Sequence, residues 1–254
     1  MRLKTEQEIK LIAEGGHILA GILRVLEGML RPGLTTAELE KTACEMMASA
    51  GARPSFKGYK ANKKDTPFPT ALCISINHQV VHGTSLPSRN INSGDIVSID
   101  LGMEYKGFFT DMASTTAVGP VPEQVRHLIA VTKKSLELGI KSAKAGNSLY
   151  TLGKTIEDYV EKHGFSVVRE LVGHGVGHAV HEQPQIPNYA IDNNKKEILD
   201  VGMVIAIEPM VNIGKFNIKV APDKWTIITS DGSLSAHFEH TVAITKNGPV
   251  ILTQ

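Results

Sequence analysis

The stretch Asp95–Ala117, DIVSIDLGMEYKGFFTDMASTTA, sets the tightest limit on what this chain can fold into. β-Branched and apolar residues flank a break bearing Gly107, which reads as two strands, Ile96–Glu104 and Phe108–Thr116, joined by a tight turn over Tyr105-Lys106. A turn at that place sets Glu104 against Gly107 and so brings Asp100 directly opposite Asp111 on the ladder. Like charges in opposite positions destabilise a sheet, and Asp is depleted from strand interiors to begin with. Something positive is therefore expected between them.

Neither size nor charge supplies it from elsewhere. A chain of 254 residues with 42% hydrophobic content buries a large core, as one domain or two small ones. No composition shift or low-complexity tract separates two units, so residues 1–254 are expected to form a single domain. With 27 basic and 26 acidic residues the net charge is +1, and no global field draws the protein to nucleic acid or to an anionic membrane. Cys44 and Cys73 are too few for a disulfide framework. The chain opens without an arginine-flanked apolar leader, and no apolar run reaches the roughly 18 residues of a membrane span. These features together predict a soluble, cytoplasmic protein of a reducing compartment.

Helical segments precede the strands twice. Thr5-x-x-Glu8 is a capping-box pattern followed by Ile9, Ile12, Leu19, Ile22, Leu23, Leu26, Met29 and Leu30 at helical spacing, stopped by Arg31-Pro32-Gly33. Thr35 caps a second helix with Leu39 and Ala43 on its buried stripe, ending at Gly51. The same grammar recurs from Glu123 to Ala145, stopped by Gly146, and again from a Ser148 cap through Leu149, Leu152, Ile156 and Tyr159 to Gly164. A shift of 113 residues aligns Leu23 with Leu136, Gly33 with Gly146, Thr35 with Ser148, Leu39 with Leu152, Thr42 with Thr155 and Gly51 with Gly164. Strand-like segments follow each helix pair: Ala71–Ile76 and the Asp hairpin, then Val167–Leu171, Met203–Ile207, Trp225–Thr229 and His237–Ile244. Two copies of helices followed by strands predict an α+β protein, duplicated helix-helix-strand halves around a mainly antiparallel sheet. Phe56–Pro69 and Asn188–Glu197 read as polar surface loops.

Gly173-His174-Gly175-Val176-Gly177-His178-Ala179-Val180-His181-Glu182 is neither HExxH nor GxGxxG, and its glycines argue against a helix. They let backbone and ligand come close to His174, whereas His17, His127 and His163 stand alone and are expected to be ordinary core or surface residues. Met203-Val-Ile-Ala-Ile-Glu-Pro209 is a buried strand ending in the carboxylate of Glu208, and Glu239 begins another after His237-Phe238. Carboxylates are almost never buried unless paired or metal-bound. Asp100, Asp111, Glu208 and Glu239 together match the charge of two divalent cations, with His174 as a neutral fifth ligand. Arginine pairing is the competing explanation, and these strands carry no Arg. Two cations roughly 3.5–4 Å apart can clamp a hydroxide that is nucleophilic near neutral pH.

The ordered set SIDLG, FTDMA, GHGVG, IEPM and FEHT resembles the pita-bread metallopeptidases, and most closely the type I methionine aminopeptidases in their short, bacterial-type form without an amino-terminal zinc-finger extension. The resemblance runs from the first helix to Gly248–Thr253. It implies a pita-bread fold forming one metallopeptidase domain, and an exopeptidase that removes the initiator methionine when the second residue is small. Asp100, Asp111, His174, Glu208 and Glu239 would hold two divalent ions, with Co, Mn, Fe and Zn all suited to such ligands. It further implies that His82 bonds substrate near the scissile bond, that His181 polarises the carbonyl, and that Glu208 moves the proton. Tyr59, Phe68, Cys73, Val180 and Trp225 would line the methionine pocket, where a soft sulfur contact suits a thioether. The implied partner is the amino-terminal methionine of nascent polypeptides, met during transient association with the ribosome, with a monomer as the working state and neither nucleic-acid specificity nor a membrane involved.

Departures from the family pattern are the lysine-rich Lys60–Pro67 stretch, His178 and Val180 in place of larger or aromatic residues, and His237 where glutamine is common. Proline-directed relatives resemble the same core but normally carry an extra amino-terminal domain, whereas the first core helix is expected here at about residue 5. A non-catalytic binding module on this fold would have lost ligands, and all five are present.

Overall fold

The computed structural model describes residues 2–60 and 66–254. Helix α1 runs Glu6–Met29 and α2 Thr36–Ser49, each opened by a full capping box, Thr5 with Glu8 and Thr35 with Glu38. In the second half α3 spans Glu123–Ser142 and α4 Leu149–Lys162, the latter capped by Ser148. The third helix stops three residues short of the expected Ala145, because Asn147 Nδ2 donates to the Ser142 carbonyl and closes its end.

The duplication extends beyond caps. Gly33 and Gly146 both adopt left-handed φ, 87° and 88°, a conformation that glycine takes without a Cβ penalty. After each, the chain is tied to an incoming loop in the same way. Gly33 N donates to Ile91 O and Thr36 N to Arg89 O, and their counterparts are Gly146 N to Leu199 O and Leu149 N to Glu197 O. Each half has its own apolar core. Leu19, Leu23 and Leu26 of α1 and Leu39 and Met47 of α2 pack on Val97, Ile99, Leu101 and Met103, while Leu128, Leu136, Leu152 and Ile156 of α3 and α4 pack on Ile205, Ile207, Val242 and Ile244.

These cores flank a nine-stranded, antiparallel sheet. Its main path runs Arg53–Pro54, Ile96–Tyr105, Phe108–Ala117, Glu239–Thr245, Val204–Ile207, Gly173–Gly175 and Glu182–Ile186. Leu72–Ile76 pairs with Ile96–Tyr105, and Gly248–Ile251 with Glu239–Thr245. The halves join where Glu239 pairs with Ala113 and His240 with Met112. The segment expected as one strand, His237–Ile244, divides at Phe238: Ser235–His237 pairs with Met210–Asn212 in a small separate sheet, and Glu239–Thr245 enters the large one. Val167–Leu171 and Trp225–Thr229 shrink to Ser166–Val167 and Ile227–Thr229.

The hairpin register also differs from expectation. The turn is Lys106-Gly107, both at positive φ, and Tyr105 pairs with Phe108. Asp100 therefore faces Ala113, and Asp111 faces Gly102, with no bulge between Ile96 and Tyr105. The two acids are diagonal neighbours on one face, a separation still within mutual reach. No described helix is long and apolar enough to cross a membrane.

Candidate metal centre

Alternation along the strands places the site. Val97, Ile99, Leu101 and Met103 face the helices, so Asp100 points to the opposite side of the sheet. Asp111 is pinned through its backbone: its N donates to Thr241 Oγ1, and that hydroxyl donates back to the Asp111 carbonyl, at 3.0 and 2.8 Å. Glu239 arrives from the joining strand, His174 from the Gly173–Gly175 strand opposite Ala206, and Glu208 just beyond the Val204–Ile207 strand. Asn188 Nδ2 donates to the Glu208 carbonyl and fixes that end. Asn188 was expected in a surface loop and is fully buried instead.

All five expected ligands converge. Potential ligand atoms of Asp100, Asp111 and Glu239 lie within 4.8 Å of one another, and so do those of His174, Glu208 and Glu239; Asp111, His174 and His181 form a third such group. Asp111, His174 and Glu239 each belong to two of these groups, so the groups overlap into one cluster with room for more than one ion. Asp100 Oδ1, Asp111 Oδ1 and Glu239 Oε1 are buried and have no hydrogen-bond partner among the described residues. Among the described residues only histidines come within ion-pair distance of the four acids. Buried, unneutralised carboxylates are costly, and two divalent cations supply the missing charge. The donor set fits them.

Electrostatics agree. Burial pushes the Asp100 carboxyl up to about 7 and Glu208 up to about 8. Asp111 and Glu239 are driven well above the carboxylate range by burial and then by repulsion from the acids around them. Burial brings His174 down to about 3, so it is neutral. Its Nδ1 lies 2.9 Å from the Gly175 carbonyl, which fixes Nδ1–H as the donor and leaves the Nε2 lone pair free to ligate.

Beside the acids opens a cavity of about 480 Å³ that also reaches His82 and His181. Phe56, Tyr59, Phe68, Cys73 and Trp225 line its apolar end, and Val180 and Phe109 pack in the same apolar cluster. Phe68 meets Trp225 edge to face at 5.3 Å, and Tyr59 meets His181 at 4.8 Å. Burial and then the adjacent Asp100 and Asp111 push the Cys73 thiol up, so it stays protonated and apolar in character. Of the lysine-rich stretch Lys60–Pro67, residues 61–65 lie outside the described residues.

Sequence reasoning missed the clamp behind His181. The Lys4 side chain is fully buried and its Nζ donates to Glu182 Oε2 at 2.7 Å, while Glu182 Oε1 accepts from the backbone N–H groups of His178 and Ala179. Glu8 adds a contact to His178 Nε2 at 2.9 Å. The amino-terminal segment thereby holds the turn that presents Val180 and His181. Removing one member of a buried pair strands the other, so Lys4→Met is expected to cost about 3 kcal/mol, read as a lowered midpoint in thermal or urea melts. An unchanged midpoint would show that the pair does not anchor the turn.

A sheet that joins two duplicated halves over a shared cluster of acids and one histidine defines a metallopeptidase, and the model of metallopeptidase family M24 matches residues 10–246: the chain belongs to that family. Within it, likeness runs to methionine aminopeptidases. The chain is 47% identical over 251 residues to the methionine aminopeptidase of Clostridium perfringens, covering 99% of this chain and 98% of that one. It superposes on the crystal structure of the Thermotoga maritima methionine aminopeptidase with a TM-score of 0.94 at 41% identity, covering 100% and 99% of the two chains. The prolidase of Pyrococcus furiosus gives 0.77 at 25% identity, with 99% of this chain matching 65% of the prolidase.

Proposed function

We propose that this protein hydrolyses the first peptide bond of polypeptides that begin with methionine and carry a small second residue, releasing the initiator methionine. The observation that carries this reading is one cavity in which the apolar slot of Phe68, Cys73 and Trp225 opens onto Asp100, Asp111, Glu208 and Glu239. A methionine side chain in the slot would place its amino group and first carbonyl beside the acids.

Asp100, Asp111, His174, Glu208 and Glu239 would hold two divalent ions, which supply Lewis acidity and a water of lowered pKa. The chain's own residues do the rest. Glu208 would accept the attacking water's proton and return it to the leaving amine, a role its place on the cavity wall beside His174 allows. His82, pushed down to about 4 first by burial, is a neutral imidazole on the cavity wall and bonds the substrate near the scissile bond. His181 donates to the oxygen that gains negative charge, and losing such a donor typically raises the barrier by about 3 kcal/mol. Residues 1–254 act as one catalytic domain, a monomer working in the cytoplasm on nascent chains during transient contact with the ribosome. The near balance of 27 basic and 26 acidic residues supports a role without nucleic-acid binding.

Metal-reconstituted protein offered Met-Ala-Ser, Leu-Ala-Ser and Ala-Pro peptides tests the reading, with released amino acids quantified. Methionine is expected from the first and little from the others. Cleavage next to proline without methionine release would favour a prolidase, and no turnover with Co, Mn, Fe or Zn would remove the catalytic reading.

A further inference from the structure

His237 lies behind the metal cluster and has no role in the chemistry above. Its backbone is locked, because N–H donates to Thr115 Oγ1 and that hydroxyl donates to the His237 carbonyl, both at 2.8 Å. The side chain is 2% exposed, and among the described residues neither ring nitrogen has a hydrogen-bond partner. A buried imidazole with two unsatisfied nitrogens costs free energy that native structures rarely leave uncompensated.

The nearest group that answers it is Glu208, whose two oxygens lie between two imidazoles. His174 Nε2 is 3.5 Å from Oε1, and His237 Nε2 is 3.7 Å from Oε2. His174 belongs to a ligand group with Glu208 and Glu239, whereas His237 belongs to none of the three groups. One oxygen of Glu208 thus lies beside His174, and the other lies beside His237, which also neighbours Asp100. Closing the gap to hydrogen-bond range takes less than about 1 Å.

We propose that His237 is a positioning residue whose Nε2–H holds Glu208 Oε2, so that Glu208 presents Oε1 alone to the metal site alongside His174. The inference rests on the two-ion reading of that site. Partners that orient ligating carboxylates typically contribute 10- to 100-fold in metal affinity or activity.

The test compares wild type with His237→Leu and His237→Gln, titrating each with manganese and recording the visible absorption of the cobalt-loaded proteins. His237→Leu is expected to weaken the Glu208-side cation by roughly 10- to 100-fold, to change the cobalt bands, and to lower kcat for Met-Ala-Ser while leaving KM nearly unchanged. His237→Gln keeps an N–H donor and is expected to recover at least half of the lost affinity on a logarithmic scale. Leu and Gln variants that behave alike, or a Leu variant with wild-type affinity and bands, would overturn the proposal. Because Leu can disturb folding, the wild-type zinc-loaded protein supplies a second measurement: imidazole nitrogen NMR should show His237 protonated at Nε2, and protonation at Nδ1 alone would overturn it. Wild-type protein that binds no divalent cation would overturn the site reading as well, which separates the two failures.

Discussion

Replacing Asp111 by Asn is expected to remove nearly all turnover and, in metal-free protein, to raise stability. Both effects have one cause. Asp111 is 2% exposed, and burial together with Asp100 and Glu208 holds its carboxyl well above the ordinary range. Without cations that charge is a liability, which an amide of nearly the same shape does not carry. With cations it is a ligand shared between two groups, and losing several kcal/mol of Lewis-acid stabilisation slows the reaction on the order of a thousandfold. Metal content and peptide hydrolysis read the first effect, and thermal melts in chelator read the second. A variant that keeps metal and turnover, or one less stable than wild type when metal-free, would show that Asp111 is not a crowded, shared ligand.

Metal-free protein should also lose stability as the pH rises, opposite to the usual behaviour of salt-bridged acids. Asp100 sits at about 7 and Glu208 at about 8 in the folded chain, above the roughly 4 of an unfolded carboxyl. The folded state therefore binds more protons than the unfolded one. Its extra stability is complete below about pH 4 and is lost as the pH climbs through 7 to 8. A tenfold difference in proton affinity between the two states is worth about 1.4 kcal/mol, so the loss amounts to several kcal/mol. Scanning calorimetry in chelator between pH 5 and 8, the window in which these groups ionise, should show a falling midpoint. Saturating manganese should flatten the slope, because ionised carboxylates are then ligands and bound cation stabilises the fold. A midpoint flat or rising with pH in chelator would show that these acids are not crowded as described.

Local signals in the chain proved dependable. Capping residues and stop glycines at a fixed offset reported two copies of one unit, because a cap or a left-handed glycine is dictated within a few residues. The hairpin shows where such reasoning fails. A two-residue turn of the favoured hand needs positive φ at both central positions, and asparagine or aspartate before glycine is its usual signal. Here Lys106 takes φ 51° before Gly107, so the turn lies one residue later than read and the pairing slides by two. A slide of two keeps every side chain on its face. Asp100 and Asp111 therefore still share the site, although Asp111 now faces Gly102, where a Cβ would sit 2.2 Å from Ser55 Oγ. Contacts between distant segments left no trace in the sequence: nothing local to Lys4 announces Glu182, and the polarity of Asn188 suggested a surface loop rather than a buried bond to the Glu208 carbonyl.

The proposed chemistry depends on five side chains from two duplicated halves holding two metal ions beside an apolar slot. Anomalous scattering from crystals of the manganese-loaded protein would locate those ions. Two peaks roughly 3.5–4 Å apart are expected among Asp100, Asp111, His174, Glu208 and Glu239. Manganese bound away from these residues, or ligation that leaves out either Asp100 or Glu239, would rule the arrangement out.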